Sequence, residues 1–435
     1  MAKIQQSLFS WQDVDGLGDL KRLRLTLSVL PDEALMRTLE RERGRGRDDY
    51  PLRAVWNSLL AGVVFGHSSV ESLRRELRRN APLREMCGFD PVLAERAVPT
   101  SSAYTRFLKR LLEREEAVQM MFDDLVTLLY KELPGFGRTL AVDGKAIPTH
   151  GRPRGEERLT LKEDGRRDLD ADFGVKTRGR GTPYERVVKW FGYKLHLIVE
   201  AVYELPVAFE VTKASAAEAP VARQLLETLA DAQSEMIAES EYLAGDKGYE
   251  DTELTEQAWQ EHKIKAVVPV KNLWADPAEQ RMTRQWSNVF YTQEGEVTCC
   301  CPKTATMRRM AYGGFEKERA AHKWRCPARH YGLECAGMAR CQVKGAARIP
   351  LSEDPRVFTP LARTSRDWAK VYAKRTAVER VNSRLDVAYG FERHFIRGHK
   401  KMWLRMGLAL IVMLATALGR VKENQRDRLR SLTQA

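Results

Sequence analysis

The chain has 435 residues, 43% hydrophobic and 30% charged, and its 72 Lys+Arg against 59 Asp+Glu give a net charge of +13 and a pI near 9.4. This length supports a large core divided into two or more units, and the composition excludes a disordered or fibrous chain. The positive balance suggests a polyanionic partner such as nucleic acid, although a basic surface with no such partner fits the composition equally well.

The N-terminal stretch MAKIQQSLFSWQDVDG lacks the apolar segment and small-residue cleavage site of a secretory signal, so a cytoplasmic protein is expected. Residues 1–48 are polar and end in RERGRGRDD, after which helical periodicity begins at Leu52. Residues 52–65 are apolar on one side, His67-Ser68-Ser69 offers a break with a capping serine, and residues 70–79 read as a basic helix. A third helix is expected over residues 105–132. The pattern is compatible with a helix-turn-helix module in which Arg74, Arg75, Arg78 and Arg79 reach phosphates, and equally with a helical bundle whose charged face is solvated.

The run ELPGFGR punctuates the chain, and the apolar stretches that follow are short and β-branched. Strands are expected at 139–143, 187–200 and 206–212, then a helix at 216–230, a strand at 242–246, a helix at 251–261 and a strand at 264–270. Three strands followed by alternating helix and strand indicate an α/β domain with a mixed sheet. The apolar run 402–418 is interrupted by Arg405 and falls short of the ~20 residues that span a bilayer, so it reads as a buried terminal helix rather than a membrane segment.

Asp143 and Asp246 each close a short apolar strand, where carboxylates point into the crevice in which open α/β sheets bind ligands. Each also stands in a tight turn, where an aspartate commonly caps. Further on, Val371, Val378, Val381 and Leu385 share one helical stripe, while Tyr372, Arg375, Glu379, Asn382 and Asp386 share a second, polar one. A helix packed through its valines would bring Glu379, with Arg375 one turn before it, to the same crevice; a surface i, i+4 ion pair is the plainer reading.

These residues resemble those of DDE transposases of bacterial insertion sequences, in the ribonuclease-H-like superfamily, and of the group marked by a Tyr-x2-Arg-x3-Glu-x6-Lys signature. Tyr372, Arg375 and Glu379 fit that spacing, and VDGK around Asp143 and AGDKGY around Asp246 look like the first two acidic motifs. One departure is clear: the final Lys position holds Asp386, and Arg384 or Arg380 would have to substitute. The resemblance implies a ribonuclease-H-like mixed sheet flanked by helices, with a helical N-terminal DNA-binding region (1–135) and a first part of the catalytic core (136–270). A β-rich, Cys-bearing insertion (271–362) would then precede the Glu-bearing and C-terminal helices (363–435).

The implied activity is metal-dependent cleavage at the element ends and strand transfer into target DNA. Asp143, Asp246 and Glu379 would hold two Mg²⁺ ions about 3.5 to 4 Å apart, with Mn²⁺ as a substitute, because hard cations take oxygen ligands. Arg375 and Tyr372 would support Glu379. The implied partners are double-stranded DNA, as element ends and as target, and a second copy of the chain in the DNA complex. Two rivals stay open: a catalytically silent DNA-binding protein derived from a transposase, and a metal-dependent nuclease without joining activity.

Basic residues flank the motifs. Between Lys176 and Lys194, Arg178, Arg180, Arg186 and Lys189 join these two lysines against one acid, Glu185. Trp190, Phe191 and Tyr193 are interleaved, more consistent with a sheet core than with base stacking. Lys247 and a second set including Arg393, Arg397 and Lys400 are further phosphate-binding candidates. Of seven cysteines, six lie between Cys299 and Cys341. Cys301, Cys326, Cys335 and Cys341 could hold a structural zinc, although their spacing lacks the close pairs of common zinc sites; reduced cysteines are the alternative.

Overall fold

A computed structural model describes residues 19–44, 49–90, 92–151, 168–178, 183–271, 274–276 and 278–430. The N-terminal part is helical: Asp19–Val29, Glu33–Arg43, Leu52–Val64, Val70–Arg79, Ala81–Cys87, Ser101–Leu112 and Glu115–Glu132. Ser69 caps the basic helix as expected, its hydroxyl accepting from the Ser72 N–H. Leu73 and Leu77 face the core while Arg75, Arg78 and Arg79 are exposed. Arg74 is tied to Glu71 and to the Pro99 carbonyl. The single helix expected over 105–132 is two, parted at Glu113 and Arg114, because Glu115 and Glu116 start a new N-terminus where acidic side chains are favoured.

The core is organised on the helix His399–Lys422, which packs against the helices Asp19–Val29, Leu52–Val64 and Glu115–Glu132 and against the sheet. By length and composition it could cross a membrane, but 89% of its apolar window is buried inside the protein. The expectation of a buried terminal helix holds.

The main sheet is mixed. Strands β1 (Thr139–Pro148), β2 (Asp172–Arg178), β3 (Arg186–Glu200), β4 (Leu205–Lys213), β5 (Tyr242–Gly245) and β6 (Lys265–Val267) build it. The long β3 pairs antiparallel with β1 on one side; on the other it takes β2 along residues 186–192 and β4 along 193–200. β5 and β6 add in parallel on the far edge of β1, connected through the helices Glu218–Ala232, Ser234–Glu239 and Thr252–Gln260. Strand β2 was not expected from the sequence: its alternation is carried by Phe173 and Val175, which stay exposed.

After β6 come two small antiparallel sheets, β7 to β10 between Arg281 and Arg309, and β11 to β13 between Ala311 and Pro350. They share a core of their own around Trp274, Tyr291, Trp324, Ile349 and Phe358. Arg363 pins its exit, donating to the carbonyls of Val268, Arg356 and Val357.

The segment bearing the Tyr-Arg-Glu pattern is not one helix but two, Arg366–Ala373 and Thr376–Ala388. Val371 joins Ala244, Val267 and Leu361, whereas Val378, Val381 and Leu385 enter the main core. The common valine stripe is therefore split between two packing surfaces.

Candidate active site

β1 and β5 run parallel with Val142 opposite Gly245, so Asp143 and Asp246 each stand one residue beyond the last paired position of adjacent strands. The Gly144 N–H donates to Asp143 Oδ1 at 2.8 Å, and the Gly248 N–H to Asp246 Oδ1 at 2.7 Å. The expected capping role exists for Asp246 but not for Asp143, which stands inside β1 rather than in a closing turn because pairing with β3 carries the strand on to Pro148. Burial pushes the Asp143 carboxyl up to about 6 against the pull of Lys176, with the charges of Asp246 and Glu218 adding to the rise.

Glu379 lies in the first turn of the helix Thr376–Ala388, which packs on β1 and β3 through Val378, Val381 and Leu385. It is 51% exposed and ion-paired with Arg375 at 2.8 Å, the i, i+4 pair foreseen from the sequence. The Arg375 guanidinium lies 5.8 Å from the Tyr372 ring centroid, and that ring stacks on Trp368 at 4.8 Å. Arg375 is also within electrostatic reach of Asp143. Tyr372, Arg375 and Glu379 thus form one connected chain, linked towards Asp143 through Arg375, and Glu379 itself is not gathered with the two aspartates into one group.

Two features of the site escaped the sequence. Glu218, in the first turn of the helix after β4, brings a further carboxylate near Asp143 and lies 3.6 Å from the Lys194 ammonium. Tyr249, three residues after Asp246, is 1% exposed with its hydroxyl among the charges of Glu218, Asp143 and Asp246. The only signal was the glycine in each motif: a Cβ on Gly248 would stand 2.4 Å from Glu218 Oε2, and one on Gly144 3.2 Å from Glu218 Oε1.

Among the described residues no group of three or more His, Cys, Asp or Glu side chains is already arranged as an ion cage. The donor set of the crevice is nonetheless all oxygen, with two aspartates in register and the Asp143 pKa raised by burial and, less, by the neighbouring acids, which suits a hard divalent cation.

The departure at Asp386 has a local explanation. Its carboxylate is ion-paired at 2.5 Å with Lys145, two residues past Asp143 on β1. Arg380 and Arg384 do not substitute for a signature lysine: both are turned to the buried carboxylate of Glu204.

The proposed DNA contacts divide. Lys189, Lys247, Arg393 and Lys400 are exposed, and Arg397 is half-buried. Lys194 is not available to DNA: it is 9% exposed and donates to the Ala216 carbonyl at 2.8 Å. Arg180 and the Arg178 side chain lie outside the described residues. Trp190 and Tyr193 are core residues, so neither is a stacking platform. Tyr193 donates to Asp168, a buried carboxylate that also accepts from the Thr149 hydroxyl and the Gly398 N–H, fastening β1 and β3 to the start of the His399–Lys422 helix.

The Cys301 and Cys335 sulfurs stand 3.8 Å apart, while the Cys341 thiol receives the Asn288 amide. These contacts do not bring Cys301, Cys326, Cys335 and Cys341 into a tetrahedral ligand set. Hydrogen bonds from the Thr304 hydroxyl and the Lys303 and Thr304 N–H groups hold the Cys301 thiol down to about 6.

A family model described as the transposase DDE domain matches residues 134–415, and one described as a transposase domain (DUF772) matches residues 14–110. A cryo-EM structure of piggyBac transposase in a synaptic complex with hairpin DNA is similar over 96% of this chain and 79% of that chain, at 11% identity and a TM-score of 0.39. No curated protein is found to match the chain. The DDE match covers well over half of the sequence and contains Asp143, Asp246 and Glu379, so the chain belongs to the DDE transposase family and is a DNA transposase that cleaves DNA and transfers strands.

Proposed function

We propose that this DNA transposase uses Asp143, Asp246 and Glu379 as its acidic triad, on a ribonuclease-H-like core, to cut insertion-sequence ends and join them to target DNA. The observation that carries the assignment is the parallel register of β1 and β5, which puts Asp143 and Asp246 side by side at the same end of the sheet. The sheet order β4, β3, β1, β5, β6, with three antiparallel strands followed by two parallel crossovers, supports the fold reading.

The family acts through divalent cations, and two Mg²⁺ ions, with Mn²⁺ as a substitute, are the fitting choice for an all-carboxylate donor set. Asp143 and Asp246 would hold them, with Glu379 joining once it leaves Arg375. The bound cations supply charge neutralisation and oxygen activation for phosphodiester transfer. The remaining work belongs to the chain: Arg375 orients Glu379 and, when released, faces the DNA phosphate, while Tyr372 holds the guanidinium by its ring face. Exposed Lys189, Lys247, Arg393 and Lys400 fix the register of the duplex through its phosphates.

Two copies on paired element ends, acting in the cytoplasm on nucleoid DNA, complete the proposal. A joining assay with purified protein, Mg²⁺ and end-bearing duplex tests it. Asp143→Ala, Asp246→Ala and Glu379→Ala should each abolish strand transfer while leaving end binding intact. Cleavage at wild-type rates by any of them would remove that residue from the triad. Cleavage without joined product from the wild type would favour the nuclease reading.

A further inference from the structure

Besides Asp143 and Asp246, a further acid, Glu218, stands at the crevice. Glu218 Oε2 and Asp246 Oδ1 lie 2.4 and 2.8 Å from a single point, the position a Cβ on Gly248 would take. The other oxygen of Glu218 lies 3.2 Å from the corresponding point on Gly144, the residue after Asp143. Glycine in both motifs therefore leaves the space that this carboxylate occupies beside Asp246 and the Gly144 backbone.

An acid in the first turn of a helix is ordinary, being favoured by the helix dipole, and the Lys194 ammonium at 3.6 Å offers Glu218 a structural partner. A separate observation points to a ligand. The Tyr249 hydroxyl is buried, has no hydrogen-bond partner among the described residues, and lies 3.4 Å from the same Gly144 point that Glu218 Oε1 approaches. A buried phenol oxygen left without a partner is destabilising, a cost relieved by a ligand or its coordinated water.

We propose that Glu218 is a fourth carboxylate ligand of the divalent-cation site, holding a cation jointly with Asp246, with the Tyr249 hydroxyl directed at that cation's water shell. The inference rests on the active-site reading above. In this arrangement the Lys194 ammonium offsets the charge of Glu218, so that it can stand near Asp143 and Asp246.

The test is Mn²⁺ binding to the full-length, DNA-free protein, followed by the electron paramagnetic resonance signal of free Mn²⁺, with thermal melts as a check on folding. Glu218→Gln keeps the size and should weaken binding at least tenfold with little change in melting. Glu218→Asp keeps the charge opposite Lys194 but withdraws the oxygens, so it should also lose affinity, and it serves if the Gln variant folds poorly. Affinities within twofold of wild type for both, while Asp143→Asn loses binding, would overturn the role of Glu218 alone. Wild-type affinity in all three variants would overturn the active-site reading as well. Loss in the Glu218 variants with Asp143→Asn unaffected would retain Glu218 and remove Asp143.

Discussion

The Lys145 ammonium and the Asp386 carboxylate form a 2.5 Å ion pair that joins β1 to the helix carrying Glu379. The acid occupies the position where the resembled signature has a lysine, and the lysine stands two residues from Asp143. Charge of the expected sign is present at the site but comes from the strand. The pair therefore couples the two elements that carry Asp143 and Glu379.

Both partners are largely buried, at 16% and 21% exposure, so removing one leaves the other poorly solvated. Asp386→Ala and Lys145→Ala should each cost about 1–3 kcal/mol in urea unfolding. The double variant should cost less than the two added together, by about 1 kcal/mol or more. Additive losses would mean that the contact contributes nothing to stability.

Asp143 gives a pH dependence of defined sign. Its folded pKa, about 6, is above the ordinary carboxyl value because burial and the neighbouring acids disfavour its charge. The folded state thus holds the proton more tightly than the unfolded chain, and this contribution to stability is full below pH 4 and lost as pH rises through 6. Asp143→Asn should stabilise the cation-free protein by about 1–3 kcal/mol at pH 8 and by almost nothing at pH 4. Mn²⁺ affinity should fall as pH drops below 6, since protons compete for the same oxygens. A pH-independent difference between wild type and Asp143→Asn would contradict the shift.

The basic residues separate into two groups by exposure. Lys189→Ala, Lys247→Ala and Arg393→Ala should weaken DNA binding and each lower the salt-dependence slope by about 0.9, the value for one lost phosphate contact. Lys194→Ala should leave the slope unchanged and instead lower the melting temperature, because its charge is spent on Ala216 and Glu218. Filter binding across a salt series checks both, and a slope change for Lys194→Ala would return that residue to the interface.

How much of this was legible follows the physics of each signal. β1, β3, β4 and β5 were readable because their apolar runs are buried on the sheet, and the His399–Lys422 helix because it is apolar all round. β2 was not, since it lies at the edge with exposed Phe173 and Val175 and gives no core-facing alternation. The division at Lys374 and Arg375 was hidden because the helical period continues across the break. Asp246 could be read from a strand end, which is local, whereas β1 continues past Asp143 to Pro148, so the expected strand end there is not found; Glu218, Tyr249 and the Lys145–Asp386 pair depend on contacts between segments distant in sequence.

Gly248 offers the cleanest separation of site from scaffold. A methyl group there would meet Glu218 Oε2 at 2.4 Å and Asp246 Oδ1 at 2.8 Å, both at the ends of side chains rather than on the backbone. Those oxygens can swing aside, so Gly248→Ala should cost less than about 1 kcal/mol of stability, within the range of surface substitutions. Moving them displaces the two carboxylates by about 1 Å, and if they hold the cation as proposed, that is enough to cost on the order of 100-fold in rate. Gly144→Ala, where the nearest atoms are 3.2 to 3.4 Å away, should be milder. In a Glu218→Ala background the added methyl meets only Asp246, so the further loss of strand transfer on adding Gly248→Ala should shrink. An undiminished loss would mean that the glycine serves the Asp246 turn alone and not the space for Glu218.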